Sequence, residues 1–512
     1  MSENRVKKKF VFPSAYTVLV LVMIFAAVLT YIVPAGAYST LAYDSDNDVF
    51  VVTTPKGNTT EYPAVQETLD NFGINAKVEN FVNGSIYRPM SIEGTYELVD
   101  QNGQGIFQVI RAPISGIYEC VEIMVFIFMI GGMIAIVNHI GVFNSGISEL
   151  ARISKGHEKI IIAVVCFLIA MGGTTFGMAE ETVAFYPILI PVFMKAGYDA
   201  MTGVAAIYLG SCVGCMFSTV NPFSVVIASN AAGITFGDGL AARVIGLIVG
   251  ILITIWYLFK YGAKIKKDPT KSVMWEQHEE LEEFFGVHGD KTDVTSSDTK
   301  MQAKDKIILT LFFVTFVVMV YGVVKLGWWF AEMSMLFLVS SIIIGVIGRV
   351  PEGKFTEVFI QGASDFVGVA LVCGCARAVN ILLENGYISG TLLHTMSGWV
   401  QGMNPILFLI VLTVIFIILG FFVNSSSGLA MLSIPIMAPL ADAVGLPREL
   451  VVSAYVYGLN IIGLITPTGL ILAILQLCKV TYDKWLKWVW PLLVMWIGLA
   501  VVMLIVEMQM AA

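Results

Sequence analysis

The chain has 512 residues, of which 57% are hydrophobic and only 13% are charged. Soluble domains are usually about 45–50% apolar and about 25% charged, so this balance excludes an ordinary soluble protein and indicates an integral membrane protein. The formal net charge of −8 comes largely from two polar loops whose acidic residues face water. It is therefore weak evidence for a cationic partner, and we expect no nucleic-acid partner.

Apolar runs of about 20 residues recur along the chain, and such a run is long enough as a helix to cross a hydrocarbon core of about 30 Å. The first run, from about Ala15 to Val33, is followed by a small-residue sequence that imitates a signal-peptide cleavage site. Because the run exceeds the usual signal core of about 7–15 residues, we interpret it as an uncleaved first helix. The predicted crossings are about 14–36, 118–141, 200–232, 240–262, 305–325, 328–349, 360–382, 450–479 and 484–508.

Basic residues set the expected orientation. Lys7, Lys8 and Lys9 place the N-terminus in the cytoplasm by the positive-inside rule. The later basic clusters then fall on the same side, at Arg152, Lys155 and Lys159, at Lys260, Lys264, Lys266 and Lys267, and at Arg349 and Lys354. We expect a multi-pass protein of the inner, or plasma, membrane.

Successive crossings must alternate between the two sides of the membrane, and the basic clusters must all lie on the cytoplasmic side. Both conditions are met only if two apolar segments, 159–195 and 404–442, enter and leave on the same face. Each segment is interrupted midway by polar or glycine-rich sequence, "GGTTFGMAEE" in the first and "NSSSG" in the second. A non-helical tip at membrane depth is tolerated only where protein or water covers its backbone groups. We predict two re-entrant hairpins.

The two hairpin regions repeat at an offset of 248 residues. Two prolines and two glycines match in register: Pro187, Pro191, Gly197 and Gly210 in the first half, and Pro435, Pro439, Gly445 and Gly458 in the second. Each half continues with a helix that is interrupted by a proline turn, "STVNPF" or "LITPTG". Since the hairpins open from opposite sides, the repeats are predicted to be inverted, which is the architecture of secondary transporters.

The predicted fold is therefore an all-α polytopic membrane protein with about nine transmembrane helices, two re-entrant hairpins, two broken helices and a small extracytoplasmic cap. The polar loop 38–115 is predicted to be a small β-rich cap, and the charged loop 263–304 a solvated linker between the halves. The predicted organisation is a cytoplasmic N-terminus (1–13), a first repeat (14–262), the cytoplasmic linker (263–304), a linking helix (305–327) and a second repeat (328–508).

With these features the sequence resembles the ion transporter superfamily, and within it the four-carbon-dicarboxylate anaerobic carrier family. The resemblance is to its YfcC-like branch, whose members are described as basic amino-acid antiporters. It covers nearly the whole chain and is carried by "FGMAEETVAF", "YPILIPVF", "KAGYD", "NPF" and "NSSSGLAMLSIPIMAPLAD". The resemblance implies elevator-like motion of the hairpins and broken helices, and a homodimer.

In related families the hairpin tips and the helix breaks bind the substrate and a coupling cation. Carried over by motif, this implicates Thr174, Thr175, Glu180, Glu181, Ser218, Asn221, Pro222, Asn424, Ser425, Ser426, Ser427, Thr466, Pro467 and Thr468. The alternative is that these polar groups only cap the broken helices. Sodium-coupled dicarboxylate relatives carry Ser-Asn-Thr at both tips, whereas the first tip here has two acids and no Asn.

Glu180 and Glu181 need an explanation, because a carboxylate at membrane depth costs at least about 2.5–3.5 kcal/mol on insertion scales. Adjacent residues on a helix point about 100° apart, so we take Glu180, nearer the tip, as the functional acid. Arg377 is the strongly basic residue that we place well inside a crossing. It is interpreted as a clamp for a substrate carboxylate, as the partner of a glutamate, or as a side chain that snorkels towards the outer interface. Glu119 and Glu122 lie near a helix end and are interpreted as interfacial.

A substrate with both an ammonium and a carboxylate group would account for these charges together. Glu180, with Glu181, would take its cationic end, and Arg377 with the broken-helix N–H groups would take its carboxylate. The competing interpretation is that glutamate and arginine neutralise each other and never contact the ligand.

We therefore expect a secondary active transporter of a small organic solute, in first place an amino acid of the arginine or ornithine type moved by exchange. The alternative is a proton- or sodium-coupled carboxylate or dicarboxylate transporter. No cofactor is expected; H+ and Na+ are the candidate coupling ions, with Na+ placed near Asn424 and Ser425.

The sequence offers no nucleotide-binding loop, no nucleophile with its base and no metal cluster, which argues against an enzyme and against ATP-driven transport. The C-x-x-C pair Cys212 and Cys215 lies in an apolar helix and is interpreted as packing. A channel and a receptor remain as other classes. A channel would conduct without counter-transport, and a receptor would need 38–115 to bind a ligand.

Overall fold

The structure, a computed structural model, describes residues 13–142, 158–286, 303–400 and 402–511. In these ranges ten helices are long and apolar enough to cross a membrane. The prediction of a mostly helical, multi-pass membrane protein is confirmed. The basic residues Lys7 to Lys9, Arg152 and Lys155, and part of the predicted linker, lie outside the described residues, so the orientation of the chain stays a prediction.

The first half combines long helices with a small cap. Its helices are α1 (Ala15–Ile32), α2 (Gln66–Asn71), α3 (Val78–Val82), α4 (Ile106–Glu119), α5 (Val121–Ile140), α6 (Glu158–Phe176), α7 (Tyr186–Lys195), α8 (Ala200–Met216), α9 (Ile227–Ala231) and α10 (Leu240–Lys267). Its strands are β1 (Gly36–Ala37), β2 (Thr40–Asp44), β3 (Val49–Thr53), β4 (Thr59–Pro63), β5 (Met90–Ser91) and β6 (Glu97–Leu98).

The second half follows a short helix on the segment after α10. Its helices are α11 (His278–Phe284), α12 (Ala303–Leu326), α13 (Phe330–Gly348), α14 (Glu352–Asp365), α15 (Val367–Asn385), α16 (Ile388–Trp399), α17 (Pro405–Phe422), α18 (Ser426–Ala443), α19 (Glu449–Gly463), α20 (Ile471–Leu477) and α21 (Tyr482–Ala511).

Most predicted crossings match these bounds within a few residues, but two predictions need correction. The span predicted at 118–141 is preceded by α4, which begins at Ile106, inside the segment assigned to the cap. The span predicted at 360–382 is two helices, α14 and α15, joined at Phe366. Helix α16 was not predicted, because its apolar stretch is short and mixed with Ser, Thr and His.

Both predicted hairpin regions form pairs of helices joined by a short non-helical tip. Helices α6 and α7 are separated by Gly177 to Ala179 and a 3-10 turn (Glu180–Phe185), and α17 and α18 by Val423 to Ser425. The predicted helix breaks are also present, between α8 and the π-helical turn Pro222–Val226, and between α19 and α20. The re-entrant path of these pairs and the inversion of the two halves stay predictions.

The 248-residue offset extends beyond the motifs to whole elements. The pairs α4 and α14, α5 and α15, α6 and α17, and α8 and α19 each begin within two residues of that offset. Their packing recurs as well, since α6 lies on α8 as α17 lies on α19, and α4 lies on α15 as α14 lies on α5. These four pairs of helices therefore begin at matching positions and pack alike, while the repeat of the two halves as a whole stays a prediction.

Glycines at these helix crossings explain why the motif repeats. An added Cβ at Gly210 would lie 2.8 Å from the Cys166 carbonyl oxygen of α6, and one at Gly458 would lie 2.6 Å from Phe416 Cβ of α17. Small residues allow close approach of the two backbones, which is the usual basis of helix packing in membranes. Glycine is needed at both positions for the same steric reason.

Gly131 gives a direct test of this packing. A Cβ there would lie 2.6 Å from the Gly362 carbonyl oxygen and 2.7 Å from the Phe366 ring, so Gly131→Ala is expected to destabilise the protein by about 1–3 kcal/mol, as overpacking does. The measurement is the thermal unfolding midpoint in detergent. Gly498→Ala is the matched control, because among the described residues no atom outside its own helical turns lies within 4 Å of its added Cβ, and its midpoint should stay or rise. An unchanged Gly131→Ala protein would contradict the close approach.

The buried apolar residues divide into two main groups, which we call the first and second cores. The first core contains the buried faces of α6, α8, α10, α17, α18, α19 and α21, together with the cap. The second core contains those of α5, α12, α13 and α15, and a related cluster joins α1, α4 and α15. The 3-10 turn after the first tip, and α20, contribute Val183, Ala184, Leu472 and Ala473 to the second core. These residues form part of the contact between the two cores, and we call the helices around each core a body.

The predicted cap is β-rich, with one sheet in the order β4-β3-β2-β5 and a second pair β1-β6. Strand β3 alternates buried and part-buried residues, as a strand with one face on a core does. The cap contacts both bodies: the Gly36 N–H donates to the Tyr387 carbonyl, and β5 packs on α18. Burial raises the pKa of the cap residue Glu93, and Arg448 of the second half opposes that shift.

Candidate functional site

A cavity of about 620 Å³ lies where the two cores meet. Residues from both hairpin tips and both helix breaks form one wall, and α4, α5, α13 and α15 form the other. Tyr87 and Arg88 of the cap also reach it. Its volume falls in the range of about 300–1,000 Å³ typical of small-molecule sites.

The first tip turns on Gly177, which has φ +75°, a left-handed conformation that favours glycine. A Cβ at this position would lie 2.7 Å from Asn221 Nδ2, so glycine also allows the tip to pack against the helix break. The Ser211 hydroxyl donates to the Met178 carbonyl and fixes the other side of the tip. The tip is therefore held from α8 and from the break that follows it.

The two acids at this tip have different surroundings. Glu181 is 9% exposed, and its Oε2 accepts a hydrogen bond from the Ala179 N–H at 3.0 Å. Glu180 is part-buried, lines the cavity, and forms no ion pair with a described residue. Glu181 thus helps to shape the tip, whereas Glu180 presents a carboxylate to the cavity.

The first helix break is stabilised by hydroxyl and amide groups. Thr174 Oγ1 donates to the Phe217 carbonyl at 2.8 Å and accepts from the Thr219 N–H at 3.0 Å. Ser218 Oγ donates to the Cys215 carbonyl, and Asn221 Oδ1 accepts from the Phe223 N–H. These bonds satisfy backbone groups that a broken helix leaves without partners.

The second tip repeats this scheme with different residues. Asn424 Nδ2 donates to the Thr468 carbonyl at 2.9 Å, which joins the tip to the second helix break. Ser425 Oγ accepts from the Gly428 N–H and caps α18, while the Tyr455 hydroxyl donates to the Ser426 carbonyl. The oxygens that remain around Asn424 and Ser425 are of the type that a hard cation binds, but a sodium site there stays a prediction.

The structure thus brings most of the implicated residues together. Those that line the cavity are Glu180, Glu181, Asn221, Arg377, Asn424, Ser425, Ser426, Ser427 and Thr468. Those that do not are Thr174, Thr175, Ser218, Pro222, Thr466 and Pro467. In the second group, Thr175 Oγ1 bonds within α6 and Thr466 Oγ1 bonds to Thr468 Oγ1, so the capping interpretation accounts for several of these hydroxyls.

Arg377 is held in an ion-pair cluster. Its Nε lies 2.5 Å from Glu119 Oε2, and its Nη1 lies 3.4 Å from Glu384 Oε1. The ion-pair alternative therefore describes Arg377 in this structure, with partners other than the tip acids. Glu119 also lines the cavity, and its interpretation from the sequence as interfacial stays a prediction.

The polar residues of the cavity wall that sequence reasoning missed include Asn380, Asn460 and Arg88. The two asparagines stand inside apolar helices, "RAVNILL" and "YGLNIIG", so a search for amides in crossings would have found them. Asn380 is 5% exposed, and its Oδ1 has no hydrogen-bond partner among the described residues. Arg88 gave no signal, because it lies outside the apolar runs, in the loop 38–115, where a charged side chain is not unusual.

The comparisons with known proteins agree with the resemblance seen in the sequence. The family model described as DcuC, C4-dicarboxylate anaerobic carrier, matches residues 12–509. An uncharacterized protein of Haemophilus influenzae is 45% identical over 510 residues, covering 100% of this chain and 99% of the relative. The Escherichia coli protein named "Putative basic amino acid antiporter YfcC" is 27% identical over 518 residues, covering 95% of this chain and 94% of its own.

Two solved transporter structures align along most of the chain. The YdaH transporter of Alcanivorax borkumensis has a TM-score of 0.38 and 14% identity, covering 98% of this chain and 99% of its own. MtrF of Neisseria gonorrhoeae, from a class described as antimetabolite efflux pumps, has a TM-score of 0.38 and 13% identity, covering 96% and 94%. At these scores the likeness supports no conclusion about substrate or mechanism. The match of the family model to nearly the whole chain shows instead that this protein belongs to the C4-dicarboxylate anaerobic carrier family of membrane transporters.

Proposed function

We propose that this protein is a secondary active transporter that exchanges amino acids, with basic ones of the arginine or ornithine type preferred. The observation that carries the proposal is the cavity between the two cores, with the Glu180 carboxylate facing it and no cationic side chain paired to that carboxylate among the described residues. A buried carboxylate needs a counter-charge, and the ammonium or guanidinium group of a substrate supplies one. The name of the E. coli relative is consistent with this substrate class.

The proposed mechanism is alternating access with elevator-like motion. Both hairpin tips and both helix breaks pack in the first core, and the opposite wall of the cavity packs in the second. The exceptions are the contact residues of the 3-10 turn and α20, which pack in the second core. A site between two separately packed bodies changes its exposure when one body slides past the other. The homodimer expected from the family resemblance, the cytoplasmic N-terminus and the plasma-membrane location belong to the same proposal.

A second candidate is a proton- or sodium-coupled carboxylate or dicarboxylate transporter. The family description favours a dicarboxylate, and the amide and hydroxyl groups of the second tip can bind a carboxylate or a coupling cation. The two acids at the first tip disfavour a dianion, because like charges repel in a site of low dielectric. We therefore rank this function second.

Transport into proteoliposomes separates the two candidates. We expect uptake of labelled L-arginine to require L-arginine or L-ornithine inside the vesicle and to proceed without ATP or a sodium gradient. Succinate uptake driven by a sodium or proton gradient, with no effect of internal amino acid, would favour the second candidate. Unitary currents of the channel type, or a requirement for ATP, would contradict both.

A further inference from the structure

The cap contributes a cationic side chain to the cavity. Arg88 lies between α3 and β5, is exposed, and lines the same cavity as Glu180. Its Nη1 lies 3.7 Å from the position that a Cβ on Gly428 would occupy, which places the guanidinium against the first turn of α18. A loop residue of the cap thus stands beside the second hairpin tip.

The charges that line the cavity divide into paired and unpaired groups. Arg377 is paired with Glu119 and with Glu384, so its positive charge is already balanced. Arg88 forms no ion pair within 4 Å among the described residues, although it is close enough to Glu384 to interact electrostatically. Among the described charges of the cavity, Arg88 and the two tip acids are thus without an ion pair, and of the two acids Glu181 already accepts a hydrogen bond from the Ala179 N–H. Arg88 and Glu180 are therefore the guanidinium and the carboxylate that we take as available to a ligand.

The cap is positioned firmly enough to present Arg88 in a defined place. Asn102 Nδ2 donates to the Asn385 carbonyl at 2.9 Å, which ties the cap to the end of α15. On the other side, the buried cap residues Phe81 and Met90, which flank Arg88 in the chain, pack in the first core. A side chain held by a fixed backbone loses less conformational entropy when it binds.

We propose that Arg88 binds the carboxylate of the substrate, while Glu180 binds its cationic end. This inference rests on the proposed function and corrects one part of the sequence interpretation, since it moves carboxylate recognition from Arg377 to the cap. An arginine can bind a carboxylate through two parallel hydrogen bonds, which fixes the orientation of the ligand as well as its charge. The cap is then part of the substrate site.

Two probes that differ only by the carboxylate test the assignment. L-arginine and agmatine share the guanidinium and the amine, and agmatine lacks the carboxylate. In the purified full-length protein, Arg88→Ala is expected to weaken L-arginine binding by about tenfold or more, as loss of a charge-assisted hydrogen bond does, and to leave agmatine binding within about twofold. Arg88→Lys should retain part of the difference, because it keeps the charge but not the bidentate geometry.

Arg111→Ala is the matched control, since Arg111 is an exposed arginine of α4 that does not line the cavity. Equal losses for L-arginine and agmatine, or no loss for either, would overturn the role of Arg88. If the wild-type protein binds succinate but neither amine, the amino-acid function is wrong, and Arg88→Ala must then weaken succinate binding for this inference to hold. Binding of none of the three probes would overturn the function and the inference together.

Discussion

Glu180→Gln is expected to weaken L-arginine binding by about 30-fold or more while the protein remains folded. The carboxylate faces the cavity without an ion-pair partner among the described residues, so its removal takes away the group that neutralises the substrate cation. Loss of one member of a buried, hydrogen-bonded charge pair costs about 2–5 kcal/mol. Binding is measured by isothermal titration calorimetry, and folding by the thermal unfolding midpoint without ligand.

Two further glutamine variants show whether the effect is specific to Glu180. Glu122→Gln is the control, because Glu122 is an exposed residue of α5 that does not line the cavity. Glu181→Gln should leave L-arginine binding and the unfolding midpoint close to wild type, since the glutamine oxygen can still accept from the Ala179 N–H as Glu181 Oε2 does. Wild-type affinity in a stable variant that carries both Glu180→Gln and Glu181→Gln would falsify the assignment.

The competing interpretation is that glutamate and arginine only neutralise each other. The structure shows such pairs, but they do not include the tip acids Glu180 and Glu181. Arg377 pairs with Glu119 and Glu384 on its own side of the cavity. Under that interpretation Glu180→Gln would damage folding and Arg377→Met would rescue it. Since no ion pair joins Glu180 to Arg377 in the described structure, we expect no such rescue.

The features that could be predicted from the sequence are those with a local signal. Long apolar runs predict helices by length alone, and glycine and proline at a constant offset predict the repeated tips and breaks, because these residues have few conformational alternatives. Glu180 stood out because a carboxylate in an apolar region is costly. Its position in the cavity follows from the same repeat that brings the two tips together.

The features that were missed depend on contacts between distant segments. Glu119 pairs with Arg377 across 258 residues of sequence, and Arg88 meets α18 only because the cap folds over the second tip. Helix α4 was assigned to the cap because its amphipathic sequence, with Arg111 and Gln108 among apolar residues, lacks a long hydrophobic run. Periodicity within one segment contains no information about such partners.

Arg243 and Glu507 are the clearest example of this limit. The sequence interpretation placed only Arg377 well inside a crossing, yet Arg243 is 0% exposed and Glu507 is 2% exposed, so both are more buried than Arg377. They stand on α10 and α21, the last long helices of the two halves, and both approach Gly239 closely. Ser453 Oγ donates to Glu507 Oε1 at 2.9 Å, and Arg243 Nη2 donates to the Phe236 carbonyl.

Arg243 and Glu507 attract each other electrostatically but form no ion pair within 4 Å, and Arg243 Nε and Nη1 and Glu507 Oε2 have no hydrogen-bond partner among the described residues. The nearness of these two buried charged groups leads to a test of stability. Arg243→Met leaves the Glu507 carboxylate buried without its nearby counter-charge, and Glu507→Leu leaves the guanidinium in the same position. Each single variant is therefore expected to lose about 1–3 kcal/mol of unfolding free energy, the cost of leaving one buried polar group without its partner, whereas the double variant, which removes both charges, should lose less than either single one. Lys267→Met on the same helix is the control, because Lys267 is exposed. Unfolding in detergent, followed by tryptophan fluorescence, measures all four proteins. Additive losses in the double variant would show that the two groups do not stabilise each other.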